Sequence, residues 1–372
     1  MRIGVPKEIK VQEYRVGMTP GSVREAVHHG HRVVVERNAG AGIGVTDADY
    51  ERAGARIAGS AEEVFGEAEL IVKVKEPQAA ERRWLRAGQV LFTYLHLAPD
   101  PEQTRELVAS GAICIAYETV TSPSGGLPLL APMSEVAGRM SIQAGACWLE
   151  KERGGMGLLL AGVPGVAPGK VVILGGGVVG ANAAYVAAGM GAEVTVLDRS
   201  VDALRRLVAQ FGSRVETIFS TQDAVERHVL AADLVIGGVL VPGAAAPKLV
   251  TRDLVSRMKK GAVIVDVAID QGGCCETSRP TTHSDPVFVV DGVIHYCVAN
   301  MPGAVPRTSA FALNNATLPY VLALAGRGVA AALEADVHLR NGLNISRGAV
   351  TNREVAAALG YEYTDPLAAL RG

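Results

Sequence analysis

A surplus of charge of either sign is missing from this chain: 36 Lys and Arg stand against 38 Asp and Glu, a net charge of −2. That balance excludes the basic footprint of a nucleic-acid-binding surface. With 49% hydrophobic and 20% charged residues, a disordered chain is excluded as well. Long apolar runs are also missing, each being broken by Gly, Pro or charge before membrane-spanning length. Met1 to Val5 leads straight into a first strand without a secretory leader pattern, so no membrane partner and a soluble, cytoplasmic protein are expected. Cysteine is scarce: Cys114, Cys147, Cys274, Cys275 and Cys297 are an odd number with no CxxC spacing. They read as reduced thiols and not as a disulfide framework or zinc site. The sequons at Asn315 and Asn344 then have no modifying compartment to act in.

Glycine, by contrast, is abundant at 43 residues, and its arrangement between Val171 and Asp198, VVILGGGVVGANAAYVAAGMGAEVTVLD, is the most informative feature of the chain. An apolar strand, a Gly-rich turn, a small-residue helix, a second strand and a terminal carboxylate make up a dinucleotide-binding unit. Gly175 permits the tight turn, Gly177 lets the backbone approach a pyrophosphate, and Gly180 lets the helix pack closely on the sheet. The free N–H groups at the helix start face the phosphates. Asp198 is placed to accept hydrogen bonds from a ribose 2′-OH, which favours NAD over NADP, although Arg199 beside it is a counter-signal.

At 372 residues two domains are expected. From Val171 onward VVIL, EVTVLD, DLVIGGV, AVIVDVAID and VIHYCVA recur between helical segments, the rhythm of a doubly wound parallel sheet. RIGVP, HRVVVE, LIVKVKEP, VLFTYLH and AICIAYE give the first ~125 residues a similar rhythm without the fingerprint. From about Arg307 the pattern is helical, with no strand rhythm of its own. The expected fold is therefore α/β: two Rossmann-like doubly wound domains, with a nucleotide-binding domain of residues 129–306 inserted into a discontinuous substrate domain of residues 1–128 and 307–372.

Three tempting motifs fail. GVPGVAPGKVV has Pro164 in place of the first glycine of a phosphate loop and Val171 in place of its Ser/Thr. Gly40, Gly42 and Gly44 precede a charged helix that starts at a Thr46/Asp47 cap, which makes them a turn. His28, His29 and His31 have no carboxylate or Cys to complete a ligand set and read as a solvated helix end.

Chemistry-bearing candidates cluster at strand ends. Arg15, in the loop after the first strand, could clamp a carboxylate through its two-pronged guanidinium or could be a surface charge. Lys73 and Lys75 alternate, so they are expected on one strand face, either with one polarising a carbonyl or imine or with both guarding an edge strand. His96 ends an apolar run where an acid/base or a packed histidine would fit. Asp270 lies beyond an apolar strand where open α/β sheets bind ligands, while Asp266, inside that strand, reads as a buried structural partner. CVANMPG follows the last strand and offers backbone amides and Asn300.

With these residues laid out, the chain resembles the alanine dehydrogenase and pyridine nucleotide transhydrogenase family. The likeness is carried by MRIGVPKEIKVQEYRVGMTP, LIVKVKEP, VLFTYLHLA, LPLLAPMSEVAGRMSIQAGA, GGGVVGANAA, DLVIGGVLVPGAAAPKLV, VDVAIDQGGCCETSRPTTH and YCVANMPGAVPRTSAFALNNATLPY. The resemblance implies that Arg15 and Lys75 bind the substrate carboxylate and carbonyl, that His96 is the acid/base and that Asp270 is its catalytic partner. It further implies cofactor contacts at Ser134, Gly175 to Gly180, Asp198, Ser220, Val239, Leu240, Val267, Ala268, Ile269, Asp270, Arg279, Val298, Ala299, Asn300 and Met301. The implied reaction is NAD-dependent, reversible conversion of L-alanine to pyruvate and ammonia by a homo-oligomer, most simply a hexamer. A transhydrogenase nucleotide-binding subunit and a non-catalytic NAD-binding regulator are the rival readings. Some relatives bind magnesium through a Glu and a His on a helix near position 325, where this chain has Ala323 and Arg327, so no such metal is expected.

Overall fold

The computed structural model describes residues 1–239 and 246–371. The chain divides into two compact units, Met1–Met133 with Val305–Gly372, and Ser134–Ala304, so that the second is inserted into the first. Strands β1 (Arg2–Val5), β2 (Arg32–Glu36), β3 (Arg56–Ala58), β4 (Leu70–Val72), β5 (Val90–Thr93) and β6 (Ile113–Ala116) belong to the first unit. Strands β7 (Lys170–Leu174), β8 (Glu193–Asp198), β9 (Glu216–Phe219), β10 (Leu234–Gly237), β11 (Val263–Asp266), β12 (Val287–Val290) and β13 (Val293–Tyr296) belong to the second. The C-terminal segment returns β14 (Leu343–Ser346) and β15 (Ala349–Val350) to the first sheet.

The neighbours run β15-β14-β6-β5-β4-β1-β2-β3 in one sheet and β12-β13-β11-β10-β7-β8-β9 in the other. In each, six parallel strands reproduce the doubly wound order 3-2-1-4-5-6, with the chain reversing direction across the sheet between β1 and β4 and between β7 and β10. Among the described residues, only β12, β14 and β15 are antiparallel additions at an edge. The strand sequences follow from this burial on both faces: β4 is LIV, β5 VLFT and β6 ICIA, every residue buried. Helices cover the faces, and Phe65, Leu91, Leu107, Cys114 and Ile345 meet in one core cluster of the first unit. Val172, Val225, Val235, Leu254 and Ile264 do so in the second.

Two glycines fix close approaches that bear on function. A Cβ on Gly17 would come within 2.2 Å of the Val72 carbonyl oxygen, so the loop that carries Arg15 lies directly against the end of β4. A Cβ on Gly180 would come within 1.8 Å of the Gly175 carbonyl oxygen, so only glycine lets the helix Val178–Gly189 start hard against β7.

Several sequence expectations are corrected. The segment after Arg307 is not purely helical: LNIS and AV form β14 and β15, too short for a period of two to register. The short strands β3 (RIA) and β9 (ETIF) carry too few apolar residues to stand out, and β12 (VFVV), although apolar, was not among the expected strands. β4 is an interior strand that ends at Val72, so Lys73 and Lys75 lie beyond it and guard no edge. His28 and His29 are exposed at the end of the helix Pro20–His28, but His31 is buried beside the N-terminal amine. The cysteines are all free, and burial pushes the Cys114 and Cys297 thiols up to about 12, which leaves them chemically inert. No helix among the described residues is long and apolar enough to cross a membrane.

Candidate active site

In the first unit the carboxyl ends of β1, β4, β5 and β6 carry the charged side chains, at the point where the strand order reverses. Arg15 is 2% exposed, not a surface charge. Its Nε donates to Glu13 Oε1 at 2.7 Å and its Nη2 to Glu13 Oε2 at 2.5 Å, a two-pronged buried pair. Burial alone would raise the Glu13 carboxyl, but the hydrogen bonds and charge of Arg15 win and hold it below the ordinary carboxylate range. Nη1 of Arg15 donates to the Met133 Sδ at 3.0 Å, a weak acceptor that a substrate carboxylate would outcompete.

The two lysines part company. Lys73 is fully buried, with Nζ 2.7 Å from Glu81 Oε1 and 3.2 Å from Glu8 Oε2, and these carboxylates outweigh burial to hold it protonated. Lys75 is half-buried, and its ammonium pairs with no acidic side chain among the described residues. Burial first, then the positive charges of Arg15 and Lys10, push its pKa below the ordinary lysine value. An underpaired ammonium beside a guanidinium is suited to an anion, and Lys75 is the one of the two that can serve.

His96 sits just past β5 with an exposed ring and a left-handed backbone, φ 49°. That conformation is held by Glu118, whose carboxylate accepts from the amides of Leu95 at 3.2 Å and His96 at 2.6 Å. Glu118 Oε1 also lies 3.9 Å from His96 Nδ1. The imidazole stacks on Tyr94, with ring centroids 5.9 Å apart and planes within 6°. The Tyr94 hydroxyl donates to the Leu129 carbonyl at 2.5 Å, and burial raises its pKa despite the charge of Arg15. Arg15, Lys75 and His96 are thus tied into one cluster through Glu13, Glu8, Tyr94 and Glu118. None of these four connecting residues was singled out in the sequence. The available signals were Glu13 two positions before Arg15, and Glu118 ending AICIAYE as His96 ends VLFTYLH.

The second unit carries the residues expected to contact a dinucleotide, most of them at the ends of its strands. Gly175 has φ 101°, and Gly177 caps the helix that begins at Val178 and Val179. A Cβ on Gly177 would meet nothing within 4 Å, so the helix start opens on free space of the kind a pyrophosphate needs. Asp198 is half-buried; its Oδ2 accepts from the Gly176 amide and its Oδ1 from the Ser200 amide, each at 2.6 Å. Each oxygen keeps a lone pair for a ribose hydroxyl. The amide of Ser220 donates to the Asp198 carbonyl at 3.0 Å. Val239 follows β10 and is half-buried, and Leu240 lies outside the described residues.

Val267, Ala268, Ile269 and Asp270 form a 3₁₀ turn after β11, with the Asp270 carboxylate exposed. Asp266 is 1% exposed; it accepts from the Ser278 hydroxyl at 2.6 Å and from the Cys274 and Cys275 amides at 3.2 Å, as befits a structural anchor. Arg279 is exposed, its guanidinium 4.3 Å from the Phe288 ring centroid. After β13, Val298 and Met301 are buried, Ala299 is exposed, and Asn300 has φ 58°. Ser134 is half-buried in the helix Ala131–Trp148. The residues present fit a dinucleotide.

The profile of the alanine dehydrogenase/PNT N-terminal domain matches residues 4–137, and that of the C-terminal domain matches residues 141–353. The alanine dehydrogenase of Halomonas elongata is 61% identical over 365 residues, 98% of each chain. That of Mycobacterium tuberculosis is 53% identical over 370 residues, the whole of both. Among solved structures, an L-alanine dehydrogenase superposes with a TM-score of 0.94 at 54% identity, covering 97% of this chain and 99% of its own. A transhydrogenase from Sinorhizobium meliloti does so with 0.81 at 26% identity, covering 95% and 99%. From residue 4 to residue 353, with both domains matched in order, this chain belongs to the alanine dehydrogenase/PNT family.

Proposed function

We propose that the chain catalyses the NAD-dependent, reversible oxidative deamination of L-alanine. One observation carries the reading: a guanidinium, an underpaired ammonium and an imidazole, Arg15, Lys75 and His96, are held together at the strand ends of one unit. The fall from 53–61% identity with alanine dehydrogenases to 26% with the transhydrogenase supports a dehydrogenase over a coupling subunit.

L-Alanine, water and NAD give pyruvate, ammonium, NADH and a proton. NAD, when bound, accepts the hydride from Cα. Arg15 binds the substrate carboxylate with its fork fixed by Glu13, a geometry that fixes Cα as well. Lys75 donates to the carbonyl or carbinolamine oxygen and offsets the negative charge that develops there. His96 takes the proton from the attacking water and returns one to the departing amine. Asp270 orients water or ammonia and steadies the cationic intermediates. We assign cofactor contacts to Ser134, Gly175, Gly177, Val178, Val179, Gly180, Asp198, Ser220, Val239, Leu240, Val267, Ala268, Ile269, Asp270, Arg279, Val298, Ala299, Asn300 and Met301. The fit of Asp198 to a ribose hydroxyl supports NAD over NADP. We further propose a cytoplasmic homohexamer.

The acid/base assignment is tested by His96→Asn, because Asn tolerates a left-handed backbone and cannot titrate near neutrality. Turnover is expected to fall at least about 100-fold with NADH affinity unchanged. Turnover close to that of the wild type would remove His96 from the role.

A further inference from the structure

Glu8 has no part in the reaction as assigned, yet it is 6% exposed and hydrogen-bonded on both oxygens. The reason lies in where β1 and β4 end. They pair at Ile3 with Leu70 and at Gly4 with Ile71, and β4 stops at Val72. Beyond that point the chain to Lys75 keeps its partners on the β5 side. The Lys73 amide donates to Phe92, the Tyr94 amide to the Val74 carbonyl, and the Thr93 hydroxyl to the Lys75 carbonyl. On the β1 side no strand remains. Glu8 Oε1 supplies the missing acceptor, 2.7 Å from the Val74 amide and 3.4 Å from the Lys75 amide, while Oε2 lies 3.2 Å from Lys73 Nζ.

Resting on the assignment of Lys75 to the substrate oxygen, we infer that Glu8 is a positioning residue. Its carboxylate stands in for a strand and fixes the main chain from which the Lys75 ammonium is presented. The ammonium pairs with no carboxylate among the described residues, so its place is set by its backbone, which Thr93 holds on the β5 side and Glu8 on the β1 side. Burial raises the Glu8 pKa in spite of the neighbouring Lys73 ammonium, consistent with a group kept inside for its hydrogen bonds.

The competing explanation makes Glu8 only a counter-ion for Lys73. Glu81 provides the matched control: it shares Lys73, but its second oxygen accepts from the Gln78 amide and not from the Lys75 segment. Pyruvate binding to the full-length protein loaded with NADH, without ammonia, is read by NADH fluorescence in Glu8→Asp, Glu81→Asp, Glu8→Gln, Lys75→Met and Glu8→Asp/Lys75→Met. Glu8→Asp keeps the charge but withdraws the carboxylate from the amides, and is expected to weaken pyruvate about 10-fold. Glu81→Asp is expected to lower thermal stability and leave pyruvate affinity within about twofold of the wild type. Glu8→Gln, which keeps an acceptor oxygen at full reach, is expected to restore most of the affinity, and Glu8→Asp is expected to add nothing once Lys75 is Met. Equal losses in Glu8→Asp and Glu81→Asp, or a full additional loss in the double variant, overturn the inference alone. Unchanged pyruvate affinity in Lys75→Met overturns the reading of Lys75 itself, and the inference with it.

Discussion

At the residue scale, the chemistry rests on how buried charges are paired. Arg15 is matched by Glu13, so its guanidinium is fixed before a substrate arrives, and removing either partner alone would strand a buried charge at about 3–5 kcal/mol. Lys75 is left without such a match, and its pH response follows from its surroundings. Burial, Arg15 and Lys10 favour the neutral amine, while Glu76 and Glu13 oppose them, with a net depression below the ordinary 10.5. Only the protonated form can donate to the pyruvate oxygen while supplying positive charge. Pyruvate affinity at constant NADH is therefore expected to be full on the acid side and to decline as pH rises, starting below 10.5. Lys75→Arg stays protonated throughout and is expected to lack this limb. A limb that persists unchanged in Lys75→Arg assigns the titration to another group.

At the scale of elements, the β7 turn and the helix Val178–Gly189 separate what glycine does for the fold from what it does for a ligand. Gly180 has no room for a methyl group, whereas Gly177, with ordinary negative φ, has open space around its missing Cβ. Gly177→Ala is therefore expected to fold with a thermal midpoint close to the wild type and to lose at least about 10-fold in NADH affinity, since the methyl occupies ground the pyrophosphate needs. Unchanged NADH affinity would place the pyrophosphate elsewhere. This turn was legible in the sequence because its whole logic is local: strand, turn and helix are contiguous, and Asp198 falls at a fixed distance. β1, β5, β7, β8 and β11 were legible for a similar reason, as runs long and apolar enough to stand out. β3 and β14 were not: RIA is only three residues long, LNIS is broken by polar Asn344 and Ser346, and both are defined by their neighbours in the sheet. The supporting carboxylates were hidden for the same cause: Glu8 meets Val74 across 66 residues and Glu118 meets His96 across 22.

At the scale of the whole molecule, one strand order serves twice. In each unit the ends of the strands flanking the reversal carry the candidate site residues, charged side chains in Met1–Met133 with Val305–Gly372 and glycines with the Asp198 carboxylate in Ser134–Ala304. The insertion was readable because the fingerprint lies at mid-chain with strand rhythm on both sides, but the return of β14 and β15 to the first sheet was not. The proposed hexamer is checked by light scattering on the eluting protein, with six chain masses of 38.7 kDa expected and a single chain mass contradicting it. The most direct measurement of the central claim mixes the purified protein with L-alanine and NAD at alkaline pH, with no second nucleotide, and follows NADH, pyruvate and ammonium together. The account predicts that the three appear in equal amounts and that none appears without L-alanine. Nucleotide binding with no product, or hydride transfer that requires a second nucleotide, would contradict it.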